Sequence, residues 1–156
     1  MKYQLFYEAP FGNLKILITK VGVRRITLAS TKNKNLINTS ISFILKKKLS
    51  EYFLGMKVDF KDIPLDLRGY PKKYIIVWKK VLEIPYGKFI FYKDLAEEIF
   101  KNKKYSRFIG YILKKNPIPI IIPCHRVIKT KGLGGYSLGE DIKKFLINLE
   151  KNENLT

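Results

Sequence analysis

The hydrophobic residues of this chain change period part-way along, and few folds accommodate that change. Over the first thirty residues the pattern alternates: Tyr3-Gln4-Leu5-Phe6-Tyr7, then Leu14-Lys15-Ile16-Leu17-Ile18, then Arg24-Arg25-Ile26-Thr27-Leu28. Alternation puts successive side chains on opposite faces of a strand. Pro10-Phe11-Gly12-Asn13 and Val21-Gly22 supply turn residues, so an antiparallel meander of three strands is expected. From Asn35 to Leu54 the spacing becomes helical, through Ile41, Ile44, Leu45, Leu49, Tyr52 and Phe53, and Gly55 stops the helix. Val58-Asp59-Phe60 reads as one more strand, and Ile63 to Gly69 as a linker.

Past the linker the pattern is mostly helical. Lys72 to Leu82 carries Ile75, Ile76, Trp78 and Leu82 as a buried stripe, Ile84-Pro85-Tyr86-Gly87 is a turn, and Lys88 to Phe91 is extended. Tyr92 to Phe100 forms a short helix with Leu95, Ala96 and Ile99 inward. Ser106 is the expected N-cap of a second, Arg107 to Lys115, which Asn116-Pro117 ends because proline cannot continue a helix. Two helices joined by a brief polar link have the outline of a helix-turn-helix. On the second, Phe108, Ile109, Ile112 and Leu113 share one face; Arg107, Gly110, Tyr111 and Lys114 share the other. Gly110 costs about 1 kcal/mol against alanine in a helix interior. Either a DNA backbone or another helix must approach it closely. The fold class expected is α/β (α+β): an N-terminal antiparallel sheet with a helix over residues 1–68, and a mostly helical unit over residues 69–156.

Charge narrows the partners. The 156 residues hold 31 Lys+Arg against 13 Asp+Glu, a formal net charge of +18, and such a field draws in polyanions. Nucleic acid is favoured over a membrane surface, because no helix pairs a basic face with a broad apolar one. No apolar run reaches the eighteen or so residues of a membrane span, and the start has no signal-peptide pattern. One cysteine and one histidine allow neither an internal disulfide nor a zinc site of soft ligands. The expectation is a cytoplasmic monomer with no metal and no cofactor.

That single cysteine and single histidine are neighbours, in Ile120-Ile121-Ile122-Pro123-Cys124-His125-Arg126-Val127. A cysteine after an apolar strand is usually a small hydrophobe, but an adjacent imidazole can generate the nucleophilic thiolate. Side chains at adjacent strand positions diverge, so direct contact needs a bend or a bridging water; Pro119 and Pro123 favour a bend.

Arg107-Phe108-Ile109-Gly110, Asn116-Pro117-Ile118-Pro119, Pro123-Cys124-His125-Arg126-Val127 and Gly132-Leu133-Gly134-Gly135-Tyr136, in that order, resemble the O6-alkylguanine-DNA alkyltransferases. Pro85-Tyr86-Gly87 and Tyr92 upstream, and Lys143 to Glu150 downstream, keep the family's order. The N-terminal half resembles it in outline only, as a ribonuclease H-like sheet and helix ending in Ser50-Glu51-Tyr52-Phe53-Leu54-Gly55. The resemblance implies a protein that binds double-stranded DNA, flips out an O6-alkylguanine and moves the alkyl group irreversibly to its own cysteine, once per molecule. O4-alkylthymine is a second candidate lesion.

By the same resemblance Cys124 is the acceptor, His125 the base acting through a water, and Glu150 the carboxylate that orients the imidazole. Asn116 braces the turn before the acceptor. Arg107 fills the gap left by the extruded base, Tyr92 donates to the guanine N3, and Gly110 and Lys114 lie on the DNA side. Leu113, Val127, Gly135, Tyr136 and Ser137 belong to the pocket, Ser137 reaching the guanine O6. Arg126 has no assigned role. Three other readings fit less of the sequence. A relative that recognises the lesion without removing it would lack Cys124. A basic helix-turn-helix protein with a structural cysteine leaves the Cys-His pair and the Gly-rich loop unexplained. A cysteine hydrolase needs an oxyanion hole that nothing marks.

Overall fold

Ala9 pairs with Gly12 across a two-residue turn, and that turn sets the register of the whole N-terminal sheet. The computed structural model describes residues 2–30 and 39–151. Strands β1 (Lys2–Ala9), β2 (Gly12–Thr19) and β3 (Val23–Ala29) run antiparallel in the order β1-β2-β3. Leu14, Ile16 and Ile18 of the central strand are buried together, as alternation requires. Helix α1 (Ser40–Phe53) is capped by Thr39, whose side chain accepts from the Ser42 N–H while Ser42 Oγ accepts from the Thr39 N–H. It ends at Gly55, whose φ of +87° suits only glycine. The stretch 35–38 of the expected helix lies outside the described residues. Leu45, Leu49 and Tyr52 face the core, but Ile44 is exposed.

Two expectations between the units fail. Val58 to Phe60 is not a strand: Val58 and Phe60 are buried and Asp59 is exposed, yet among the described residues no strand pairs with them. Instead the Asp59 carbonyl accepts from Lys48 Nζ, and its carboxylate accepts from the Lys61 N–H at 2.7 Å. The alternation reports two anchored side chains, not a ladder. Residues 63–69 are not a free linker either. The Val23 N–H donates to the Pro64 carbonyl at 2.9 Å, and the Asp66 N–H donates to the Val23 carbonyl at 2.8 Å. A Cβ on Gly22 would stand 2.3 Å from the Pro64 oxygen, so glycine permits this approach. Asp66 is buried and held below the usual carboxylate range, first by the Arg68 guanidinium that donates to it.

Helix α2 (Lys72–Val81) buries Val77, Trp78 and Val81, with Ile75 and Leu82 half-buried against the core; of the expected stripe only Ile76 is exposed, and Val77 and Val81 join it. Trp78 Nε1 donates to the Ile112 carbonyl at 3.2 Å. Short strands β4 (Ile90–Phe91) and β5 (Val127–Ile128) pair in parallel, so the segment before α3 (Tyr92–Phe100) lies beside the one that follows the cysteine. A 3-10 turn (Lys103–Tyr105) leads into α4 (Ser106–Lys114). Ser106 is the first helical residue rather than the cap; Tyr105 precedes it without a side-chain cap bond. The preceding turn substitutes, with Asn102 Oδ1 accepting from the Lys104 N–H at 2.9 Å. Helix α5 (Glu140–Lys151) closes the described chain, and one hydrophobic core runs from Leu5 in β1 to Leu146 in α5. Among the described residues no helix is long and apolar enough to cross a membrane.

Candidate active site

The segment between α4 and β5 is bent rather than extended. Pro119 and Pro123 lack ladder donors, so the expected apolar strand Ile120–Ile122 does not form. Ile120 takes φ +75°, an outlier for a β-branched residue, while remaining buried. The Ile122 N–H donates back to the Ile118 carbonyl at 2.9 Å, and the Cys124 N–H to the Ile122 carbonyl at 2.8 Å. Cys124–Arg126 then forms a 3-10 turn, which supplies the bend that an alternating strand would lack. Asn116 braces this path from the end of α4. Its Nδ2 donates to the Ile122 carbonyl at 2.9 Å and to Cys124 Sγ at 3.0 Å, and its Oδ1 accepts from the Ile118 N–H at 2.9 Å.

Glu150 gathers the charge behind the cysteine. Its carboxylate meets His125 Nε2 through Oε2 and accepts from the Tyr52 hydroxyl at 2.6 Å on the same oxygen. Arg126 donates from Nε to Oε1 at 2.9 Å and from Nη2 to Oε2 at 3.3 Å, and the Gly87 N–H donates to Oε1 at 2.9 Å. Burial alone would raise the Glu150 pKa, but the contacts with His125 and Arg126 hold it well below the usual carboxylate range. An ionised Glu150 requires a proton on Nε2 of His125, which leaves the lone pair on Nδ1. That Nδ1 is buried and has no hydrogen-bond partner among the described residues. Burial also lowers the His125 pKa, which keeps the ring neutral and able to take a proton.

The thiol itself is far from ionised. Burial pushes Cys124 up to about 12, with the Asn116 hydrogen bond and the Lys143 charge pulling the other way. Lys143 is buried, its pKa lowered to about 8 by burial, and its Nζ donates to the carbonyls of Val127 at 2.7 Å and Gly135 at 3.2 Å.

A cleft of about 780 Å³ is joined to this cluster through Gly135, whose carbonyl accepts from Lys143, and none of Cys124, His125, Glu150 and Asn116 lines it. Arg107, Gly110 and Lys114 of α4 line it with Tyr92 of α3 and with Lys129, Lys131 and Gly135 of the Gly-rich loop. A Cβ on Gly110 would lie 3.0 Å from Tyr92 Cε2, so the tyrosine ring is one reason for glycine in this helix. Gly134 and Gly135 are crowded likewise: an added Cβ would meet Tyr92 Oη at 2.2 Å and Lys114 Cε at 2.1 Å. The loop therefore rests directly on the two cleft side chains. Burial pushes the Tyr92 phenol up to about 12, so it remains a proton donor at neutral pH.

The expected residues thus divide. Cys124, His125, Glu150 and Asn116 form one buried cluster, with Tyr136 against the imidazole at 6.2 Å between ring centroids. Tyr92, Arg107, Gly110, Lys114 and Gly135 meet at the cleft. Leu113 is buried in the core, and Val127 presents its carbonyl to Lys143. Ser137 is exposed and lines a separate groove with Tyr74, Lys114 and Asn116. Sequence reasoning missed Arg126, Tyr52 and Lys143 as members of the site. A signal existed for Lys143: it precedes Ile147 and Glu150 by four and seven residues, on the buried face of α5.

A buried cysteine braced by an asparagine and backed by a His–Glu pair, set behind a helix-turn-helix, defines a class of cysteine acceptor proteins. Residues 73–152 match the family model described as the DNA binding domain of 6-O-methylguanine DNA methyltransferase, and residues 1–67 match its ribonuclease-like domain. The chain belongs to the 6-O-methylguanine DNA methyltransferase family. It is 35% identical over 144 residues to the methylated-DNA–protein-cysteine methyltransferase of Metallosphaera sedula, covering 92% of this chain and 90% of that one. It is similar to the O6-methylguanine methyltransferase of Mycobacterium tuberculosis, with TM-score 0.84 and 31% identity over 98% of this chain and 94% of that one. A structure of the Mycobacterium tuberculosis protein in complex with DNA matches with TM-score 0.81 and 32% identity, over 95% and 92% of the two chains.

Proposed function

We propose that this protein repairs double-stranded DNA by drawing an O6-alkylguanine out of the duplex and transferring its alkyl group irreversibly to Cys124. The observation that carries the reading is the buried sequence Cys124, His125, Glu150, with a bare imidazole nitrogen available to accept a proton. With the thiol at about 12, on the order of one molecule in 10⁵ would hold a thiolate at pH 7, so the proton must leave as the sulfur attacks. In the proposed step that proton passes through a water to His125 Nδ1, and Glu150 balances the imidazolium. The sulfur forms a bond to the alkyl carbon, the carbon–O6 bond breaks, and its electron pair passes to the guanine. Tyr92 donates to the guanine N3 as that charge develops.

The remaining roles follow the cleft. Arg107 enters the stack in place of the flipped base, Gly110 and Lys114 approach the backbone, and Val127, Gly135 and Tyr136 shape the base pocket with Leu113 behind them in the core, while Ser137 stays on the separate groove. Asn116 holds the acceptor turn. The reading takes residues 1–68 and 69–156 as two units sharing one core, and a cytoplasmic monomer that needs no cofactor. A basic DNA-binding protein with a structural cysteine would have no use for a buried carboxylate held by a histidine and an arginine.

The test is incubation with excess O6-methylguanine duplex, followed by intact-protein mass measurement. Product should stop at one equivalent of protein, with a gain of about 14 Da on Cys124 and none in Cys124→Ser. Turnover beyond one equivalent, or label on another residue, would overturn the acceptor mechanism.

A further inference from the structure

Tyr52 enters the buried cluster from outside the segment that carries the motif. It lies on α1, within the part of the chain that matches the ribonuclease-like domain, whereas Cys124, His125 and Glu150 all lie in the part that matches the DNA binding domain. Its side chain is fully buried, and its ring packs against Phe53, Phe60 and Tyr86. The hydroxyl is aimed at one place: 2.6 Å from Glu150 Oε2 and 3.4 Å from His125 Nε2. Packing needs only the ring. The hydroxyl needs a different reason.

We propose that Tyr52 is a positioning residue of the transfer reaction, its hydroxyl fixing Glu150 so that the His125 imidazole holds its proton on Nε2 and offers Nδ1 to the Cys124 proton. The inference rests on the reading of Cys124 as acceptor and extends it by making α1 part of the chemistry. Oε2 would otherwise serve His125 and the longer Arg126 contact alone. The Tyr52 donor spreads the carboxylate charge and stops the carboxylate from rotating about its stem. Burial, the Glu150 charge and the hydrogen bond to it all push the Tyr52 pKa well above 10, so the hydroxyl keeps its proton throughout the working range.

The sign of the pH effect follows. The groups around Glu150 are Tyr52 from α1, His125 and Arg126 from the 3-10 turn, and the Gly87 N–H; Lys143 and Tyr136 act at longer range on the same cluster. Without the tyrosine hydroxyl, less of the Glu150 charge is neutralised, so the imidazolium is favoured and His125 takes its proton at higher pH. The neutral base is then scarcer on the acidic side.

Tyr52→Phe keeps the ring and removes only the hydroxyl. Single-turnover transfer should slow about tenfold on both the duplex and free O6-benzylguanine, and the acid limb of the rate profile should move up by about one pH unit. His125 is the only histidine, so its ring nitrogens can be followed by ¹⁵N NMR without assignment. The wild type should show the Nε2–H tautomer, and the variant should titrate at higher pH. Unchanged rate and titration in a folded variant would overturn the proposal, as would a loss confined to the duplex or the opposite tautomer in the wild type. If the wild type itself transfers no alkyl group, the acceptor reading fails instead, and the NMR still decides the Tyr52 contact.

Discussion

The side-chain amide of Asn116 donates to the sulfur of Cys124 at 3.0 Å, linking the end of α4 to the proposed acceptor. The same side chain satisfies the Ile122 carbonyl and the Ile118 N–H. One residue therefore tunes the thiol and pins a turn that contains the strained Ile120.

Asn116→Ala should weaken both. The buried Ile118 N–H loses its partner, which costs about 1–3 kcal/mol for a donor left unsatisfied, while the Ile122 carbonyl keeps the Cys124 N–H. Urea unfolding should report the loss of stability. The thiol should also rise further, since the amide hydrogen bond opposes the effect of burial. Alkyl transfer at neutral pH should slow in step, and an unchanged rate would separate the brace from the chemistry.

Arg107→Ala should discriminate between substrates. Arg107 is exposed on the rim of the cleft and away from the buried cluster. Drawing a base from the duplex costs a few kcal/mol, part of which an inserted side chain offsets. Repair of duplex DNA should fall about tenfold or more, while reaction with free O6-benzylguanine changes by less than about twofold. Equal losses on the two substrates would assign Arg107 to the pocket or the fold.

Glu150 should govern acid stability. Its folded-state pKa lies below the ordinary 4.5, so the native state binds this proton less readily than the unfolded chain. The stabilisation is present above about 4.5 and is lost as pH falls toward the folded-state value. Glu150→Gln should remove that dependence and leave Arg126 and His125 facing an uncharged group. Breaking a buried pair in this way costs about 3–5 kcal/mol. Urea unfolding from about pH 3 to 7 should show a lower plateau and a flatter acid limb in the variant. A curve parallel to the wild type would mean that other carboxylates, Asp66 first among them, carry the acid sensitivity.

The elements legible in the sequence are those whose signal is local. Period-two alternation marked β1 to β3 and helical spacing marked α1, α3 and α4, because each pattern is a property of a few neighbouring residues. The candidate acceptor stood out because the only cysteine adjoins the only histidine inside a specific motif, and the proposal that it accepts the alkyl group starts from that pair. Tertiary packing decided the rest. Val58 and Phe60 alternate like a strand but pair with no strand among the described residues, and the buried face of α2 takes in Val77 and Val81 while Ile76 is left exposed. Arg126 had no role assigned from the sequence, and Lys143 only a place in the family's order; burial obliges each to find acceptors, which the packed chain supplies. Tyr52 and Glu150 are 98 residues apart, and nothing near either one encodes their hydrogen bond. Periodicity specifies which face of an element is buried; only the docking of α1 against α5 and the 3-10 turn specifies which polar atoms meet there, because a buried donor must be matched wherever the packed chain leaves an acceptor.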